Sequence, residues 1–266
     1  MSSRSLSQSG HTYDLSTRKR ALALVTQGRS LNSVSKEMGI SRHAITCWLS
    51  RLEPLSRTPP CIRCQETPEM PEDFAAYAYL LGLYLGDGYI ISKPRQHYLM
   101  VTCTASWPGL VDAAEHAMRR VLPEPNISRL PRAGCVDVKS YTKHWVCLLP
   151  QHGPGKKHER PIILEAWQQE VLDAHPREFI RGLIHSDGCR ITNWTTRLVA
   201  GERKRYEYPR YFFTNKSDDI RKLFTNTLDK VGVEWTTLAR GSDPFNISIA
   251  RKASVALMDT HVGPKH

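Results

Sequence analysis

The chain has 266 residues, 40% of them apolar, and carries 37 Lys and Arg against 26 Asp and Glu, a formal charge of +11. That balance excludes an intrinsically disordered chain and points first to a polyanionic partner, drawn in by attraction to its phosphates. The longest apolar run, Phe74 to Gly86, is too short to span a bilayer, and the Ser-rich start has no apolar core of a secretory signal, so no membrane and a cytoplasmic (in a bacterium, nucleoid-associated) address are expected.

Residues 1–53 read as a small separate domain. Ser16 to Leu52 carries three helical patterns, and nine basic side chains stand against three acidic ones in the first sixty residues. The segment SLNSVSKEMGISRHAITCWLSRL resembles a helix-turn-helix of the transposase and resolvase kind, with Val34, Met38, Ile40, Ile45 and Trp48 as its core, Gly39 at the turn and Ser41 as cap of the second helix. On that resemblance Arg42, His43 and Thr46 face base edges, while Arg51, Lys36 and Arg29 suit phosphates. A plain three-helix bundle is the alternative. Residues 54–71 read as a breaker-rich linker, in which Cys61 and Cys64 have the spacing of half a zinc site. Its two further ligands would have to come from Cys47, a nearby His or a distant loop. The odd number of cysteines, seven, fits reduced thiols better than a disulfide framework.

Residues 72–266 contain one unit twice, about 72–160 and 161–266. LLGLYLGDG, Leu80 to Gly88, and IRGLIHSDG, Ile180 to Gly188, share Gly, Leu, Asp and Gly at the same four positions. Small residues four apart, Gly82 with Gly86 and Gly182 with Ser186, give each helix a notched face, and two such faces can pack backbone on backbone. The packing would bring Asp87 and Asp187 together at two helix C-termini, where like charge and helix dipole both oppose a carboxylate. A shared divalent cation would remove the conflict.

Downstream the repeat continues. HYLMVTCTAS and RYFFTNKS alternate like strands, WPGLVDAAEHAMRRVL and SDDIRKLFTNTLDKVG have helical period, and CVDVKSY and PFNISIAR again read as strands. Thr104 aligns with Thr214. At the ends, KHWVCLLPQHGPGKKH aligns with KASVALMDTHVGPKH and pairs Lys156 with Lys265, with Lys157 a near substitute. The expected fold is α+β, each half α-β-β-α-β-β-α, with two antiparallel sheets forming a saddle.

The paired motifs resemble those of the LAGLIDADG (DOD-type) homing endonucleases, in which the eighth motif residue binds metal. Asp87 and Asp187 hold that position, while Leu85 and His185 replace the usual acid at the sixth. The resemblance implies a monomer with internal pseudo-two-fold symmetry that binds double-stranded DNA at specific sites and cleaves it with Mg²⁺ held by Asp87 and Asp187. Lys156 and Lys265 would assist the water or the transition state. Expected DNA contacts from the open sheet faces are Lys93, Arg95, Arg129, Lys139, Tyr141, Arg197, Arg203, Lys204 and Arg205. The alternative is a transcription regulator descended from such a nuclease, binding DNA without cutting it.

Overall fold

The computed structural model describes residues 15–50, 61–64, 69–93, 96–240, 243–263 and 265. The chain divides into two compact units, Met1–Pro59 and Pro60–His266. The described residues 61–64 and 69–71, within the stretch expected as linker, cluster with the second unit.

In the first unit three helices, α1 (Leu15–Thr26), α2 (Leu31–Met38) and α3 (Arg42–Ser50), surround Ala21, Val34, Ile40, Ile45 and Trp48. The boundaries follow from local chemistry. Ser30 caps α2 by accepting from Ser33 N, Gly39 ends it at φ 65°, and Ser41 Oγ accepts from Ala44 N at 3.2 Å to start α3. Arg18 lies with its guanidinium 5.2 Å from the Trp48 ring, so this buried cation is shielded by an aromatic face.

The second unit is built from two halves of like order. The first runs α4 (Phe74–Gly86), β1 (Gly88–Lys93), β2 (Gln96–Thr104), α5 (Pro108–Val121), β3 (Ile127–Arg132), β4 (Cys135–Ser140) and α6 (Trp145–Leu148). After a connecting helix, α7 (Ala166–Ala174), the second runs α8 (Pro176–Asp187), β5 (Gly188–Val199), β6 (Glu202–Thr214), α9 (Asp218–Lys230), β7 (Thr236–Arg240), β8 (Asp243–Ile249) and α10 (Lys252–His261). The sheets are both antiparallel, ordered β1-β2-β4-β3 and β5-β6-β8-β7. The repeated α-β-β-α-β-β-α order is therefore present; α7 has no counterpart in the expected pattern.

One face of each sheet is closed by helices. Ile90, Leu99, Val101 and Val138 of the first sheet join Leu110, Val111, Ala114 and Met118 of α5, while Tyr211 and Phe213 join Ile220, Phe224 and Leu228 of α9. The apolar positions of α5 recur three and four apart, which is what a helix needs to lay one stripe on a sheet. Helix α4 differs: Tyr77 to Leu85 is buried without interruption because the helix is covered all round. The buried hydroxyl of Tyr77 is paired, with Gln168 Nε2 donating to Tyr77 Oη at 2.6 Å and Tyr77 Oη to Leu148 O at 2.6 Å, which ties α7 to the first half.

Helices α4 and α8 meet through their glycines. A Cβ on Gly82 would lie 2.6 Å from Phe179 O, and one on Gly182 would lie 2.1 Å from Tyr79 O, both backbone atoms that cannot yield. The Gly86 notch instead receives Ser186, whose Oγ would be 2.2 Å from such a Cβ. No helix of the described residues is long and apolar enough to cross a membrane.

Candidate active site

The helix pair ends at the two acids. Asp87 caps the C-terminus of α4 and Asp187 is the last residue of α8. They are close: a methyl on Gly86 would stand 3.2 Å from Asp187 Cγ, and the charge of Asp187 acts on Asp87. Burial first, then that like charge, pushes Asp87 up to about 6, against the pull of Lys265 and Lys157. Asp187 is also raised by burial, but Asn215 Nδ2 donates to its Oδ2 at 2.6 Å and favours the ionised form. The amide is oriented by its own Oδ1, which accepts from Ser217 N at 2.8 Å. Thr104 aligns with Thr214, so the position matching Asn215 in the first half is Ala105, which offers no side-chain donor. The two acids thus stand in unequal surroundings.

Each half also delivers a lysine to the turn before its acid. Lys157 Nζ donates to Gly86 O at 2.9 Å and Gly88 O at 2.7 Å, and also to Tyr84 O, while Lys265 Nζ donates to Ser186 O at 2.8 Å. Gly86 and Ser186 are the residues preceding the acids, so the arrangement has the pseudo-symmetry of the repeat. Burial lowers both lysines, Lys157 to about 8, and the two aspartates oppose the shift.

Lys156, expected in this place, lines a cleft beside Asp187 but does not reach those carbonyls. Its Nζ lies 3.3 Å from Glu159 Oε1 and its side chain is 71% exposed. The single helical turn Lys157–Glu159 starts one residue later, and it is Lys157 that turns inward. A sequence signal for this exists: Lys157-His158 repeats as Lys265-His266, with the extra Gly155 shifting the first loop. The carbonyls of Gly86 and Ser186, beside the two acids, thus accept from these ammonium groups.

The open cleft, of about 500 Å³, adjoins Asp187 and is lined among others by Tyr89, His152, Lys156, Lys157, Arg160 and Asn215. His152 sits edge-on to Tyr89 with centroids 6.2 Å apart, and burial followed by the charge of Arg160 lowers its pKa, favouring a neutral ring.

Strand register decides which expected DNA contacts share the open face. Val138 and Phe213 face the helices, so their partners do too. Lys93 is exposed on the open side, as is Tyr141, whose ring lies 5.3 Å from that of Tyr98. Lys139 is on the open side but only 9% exposed, drawn down over the Tyr98 ring and 3.8 Å from Asp137. Arg129, opposite Val138, is turned to the helix side, where it binds Asp112 and Glu115 of α5. In the long β5-β6 hairpin Arg197 pairs with Lys204 on the open side. Arg203 and Arg205, one residue either way, lie on the other face, and Arg205 covers the Trp194 ring at 5.0 Å. The expectation that all three neighbours face one way fails on the two-residue period of a strand. Arg210, outside the expected set, is on the open side between Tyr208 and Phe212, 5.4 Å from each ring.

In the first unit Arg42, His43 and Thr46 are exposed on the first turns of α3, and Thr46 Oγ1 donates to Arg42 O at 3.0 Å. Lys36 is exposed on α2, and Arg29 pairs with Glu37. Arg51 and Arg95 lie outside the described residues. Cys61 and Cys64 lie beside His144.

No protein-family model matches the sequence, and no curated protein matches it. Among solved structures the chain is similar to I-DmoI in complex with DNA and Mn, at 13% identity over 73% of this chain and 98% of that one, with a TM-score of 0.46. It is similar to the LAGLIDADG meganuclease I-AabMI bound to uncleaved DNA, at 12% identity over 70% and 83%, TM-score 0.44. A double mutant of I-SmaMI matches at 10% identity over 68% and 81%, TM-score 0.47. The solved structures to which this chain is similar thus include a homing endonuclease and a LAGLIDADG meganuclease, matched over 70 to 73% of its length.

Proposed function

We propose that the chain is a site-specific DNA endonuclease of the LAGLIDADG kind, hydrolysing phosphodiester bonds in duplex DNA with a divalent metal such as Mg²⁺. The observation that carries this reading is the duplicated set of one acid and one lysine, Asp87 with Lys157 and Asp187 with Lys265, at the ends of two helices in backbone contact. Two buried carboxylates raised by burial, and in Asp87 by its neighbour's charge, are a site that gains from a cation, and an all-oxygen donor set suits a hard one. When bound, the metal supplies a lowered pKa for water and charge neutralisation at the phosphate. Asp87 and Asp187 would hold it, and in this reading Lys157 and Lys265 lend positive charge beside the attacking water and the leaving 3′ oxygen.

For binding, Lys93, Tyr141, Arg197, Lys204 and Arg210 offer cationic and aromatic groups on the open sheet faces, and the net charge of +11 favours the phosphate backbone. The first unit adds a second contact in this reading: a helix-turn-helix whose α3 presents Arg42, His43 and Thr46 to a major groove, tethered to the cleaving unit and so raising affinity through effective concentration.

The test is to incubate the protein, and an Asp87→Asn/Asp187→Asn variant, with Mg²⁺ and a pool of genomic fragments, then sequence both bound fragments and new ends. Mg²⁺-dependent ends present with the parent and absent with the variant support the endonuclease. Selective binding without new ends would replace it by the regulator.

A further inference from the structure

We propose that Cys61, Cys64, His144 and Cys147 bind one structural Zn²⁺, distinct from the divalent site at Asp87 and Asp187. The four donor atoms, three sulfurs and one ring nitrogen, all lie within 4.8 Å of one another. His144 Nδ1 is 3.5 Å from Cys61 Sγ and 3.4 Å from Cys64 Sγ. A tetrahedral ion with Zn–S of about 2.3 Å and Zn–N of about 2.0 Å has S···N edges of about 3.5 Å. The two S···N edges from His144 are therefore at the spacing that zinc requires, and the remaining donor pairs lie within 4.8 Å.

The local structure explains how they meet. Cys61 and Cys64 flank a single helical turn, Ile62–Cys64, closed by Cys64 N donating to Cys61 O at 3.1 Å. His144 caps α6 and Cys147 follows three residues on, so both lie on one face of that turn. The adjoining face, Trp145 and Leu148, is fully buried in the core, which fixes the rotation of the turn that carries the His-Cys pair. Arg63 holds the same segment by ion pairs to Glu69 and Glu124.

Hydrogen bonding alone serves these groups poorly. Two thiols converge on one Nδ1, whose single lone pair accepts one proton well. His144 is buried, and a cation among the three sulfurs and its ring nitrogen would engage all four donors at once. Three soft sulfurs and an imidazole select zinc over the hard ions suited to the aspartates. The ion would link points 80 residues apart and pin the segment preceding α4 to the first half of the repeat.

The full chain, purified with a thiol reductant in zinc-supplemented buffer and freed of excess metal by gel filtration, is assayed by elemental mass spectrometry. One zinc per chain is expected, retained in Asp87→Asn/Asp187→Asn and lost in Cys64→Ser and in His144→Ala. Exchange for Co²⁺ should give the intense visible bands of a tetrahedral ion with a thiolate-to-metal charge-transfer band, a reading on the parent protein that needs no variant to fold. Folded parent protein with only traces of zinc, a cobalt spectrum without the thiolate band, zinc lost in the aspartate variant but kept in Cys64→Ser, or a Cys61–Cys64 disulfide persisting in reductant would each overturn the assignment.

Discussion

Removing one of the paired acids should stabilise the metal-free protein, and the expected size can be worked out for Asp87→Asn. The carboxyl moves from an ordinary 3.8 to about 6 on folding, because it loses water and gains Asp187 as a neighbour. The fold therefore binds this proton more tightly than the unfolded chain does. Stability contributed by the group falls as pH rises from about 4 to 6, and the deficit persists above that window. At about 1.4 kcal/mol per pH unit the deficit at pH 7.5 is about 3 kcal/mol. That figure already includes the attraction of Lys265 and Lys157; the buried amide of the variant loses hydration in turn, so a net gain of about 1–3 kcal/mol is expected. Urea unfolding in chelator at pH 7.5 and pH 4 measures it: the gain should be present at the higher pH and mostly gone at the lower. Adding Mg²⁺ should raise the parent and close the gap, since binding to the folded state alone stabilises it. Asp187→Asn should gain less, because Asn215 already satisfies that carboxylate. If Asp87→Asn proves less stable than the parent in chelator at pH 7.5, or its gain ignores pH, the account of a conflicted acid pair is wrong.

Other perturbations address the helix contact, the lysines and the sheets. Gly182→Ala should cost about 1–3 kcal/mol or more because its methyl meets the Tyr79 carbonyl at 2.1 Å. Gly86→Ala meets chiefly the Ser186 side chain, with Asp187 Cγ next at 3.2 Å, so adding Ser186→Gly should restore most of the urea midpoint, and equal losses with and without that second change would refute the packing argument. In single-turnover cleavage Lys157→Met should slow the reaction on the order of 10²-fold. Lys156→Ala, on an exposed side chain held by Glu159, should leave the rate nearly unchanged; comparable losses would return the role to Lys156. Arg197→Ala and Lys204→Ala should each reduce the slope of log affinity against log salt by about 0.9 in a DNA titration. Arg129→Ala should leave that slope alone, since its partners are Asp112 and Glu115.

The repeat, the element order and the site's acids were legible because they depend on local rules. Glycines four apart mark a helix face that must approach another closely, alternation marks strands, and Ser30, Gly39 and Ser41 delimit helices wherever they occur. Helix α7 was not legible, its short amphipathic pattern having no partner in the duplicated frame.

What only the tertiary structure decided are relations between distant segments. Lys157 takes the role expected of Lys156 because the loop turns one residue later than a gapless reading assumes, and its carbonyl partners lie at the end of α4 and the start of β1, about seventy residues before it. Arg129 and Arg205 are on the far face because strand register, set by pairing across the sheet, fixes the side of every side chain at once. Asn215 supports Asp187, and His144 and Cys147 join Cys61 and Cys64, only once the chain has closed. Local spacing determines which residues share a face of one element. Which faces then meet depends on the burial and pairing of the whole domain, and that is where the unequal acids and the sulfur-nitrogen cluster arise.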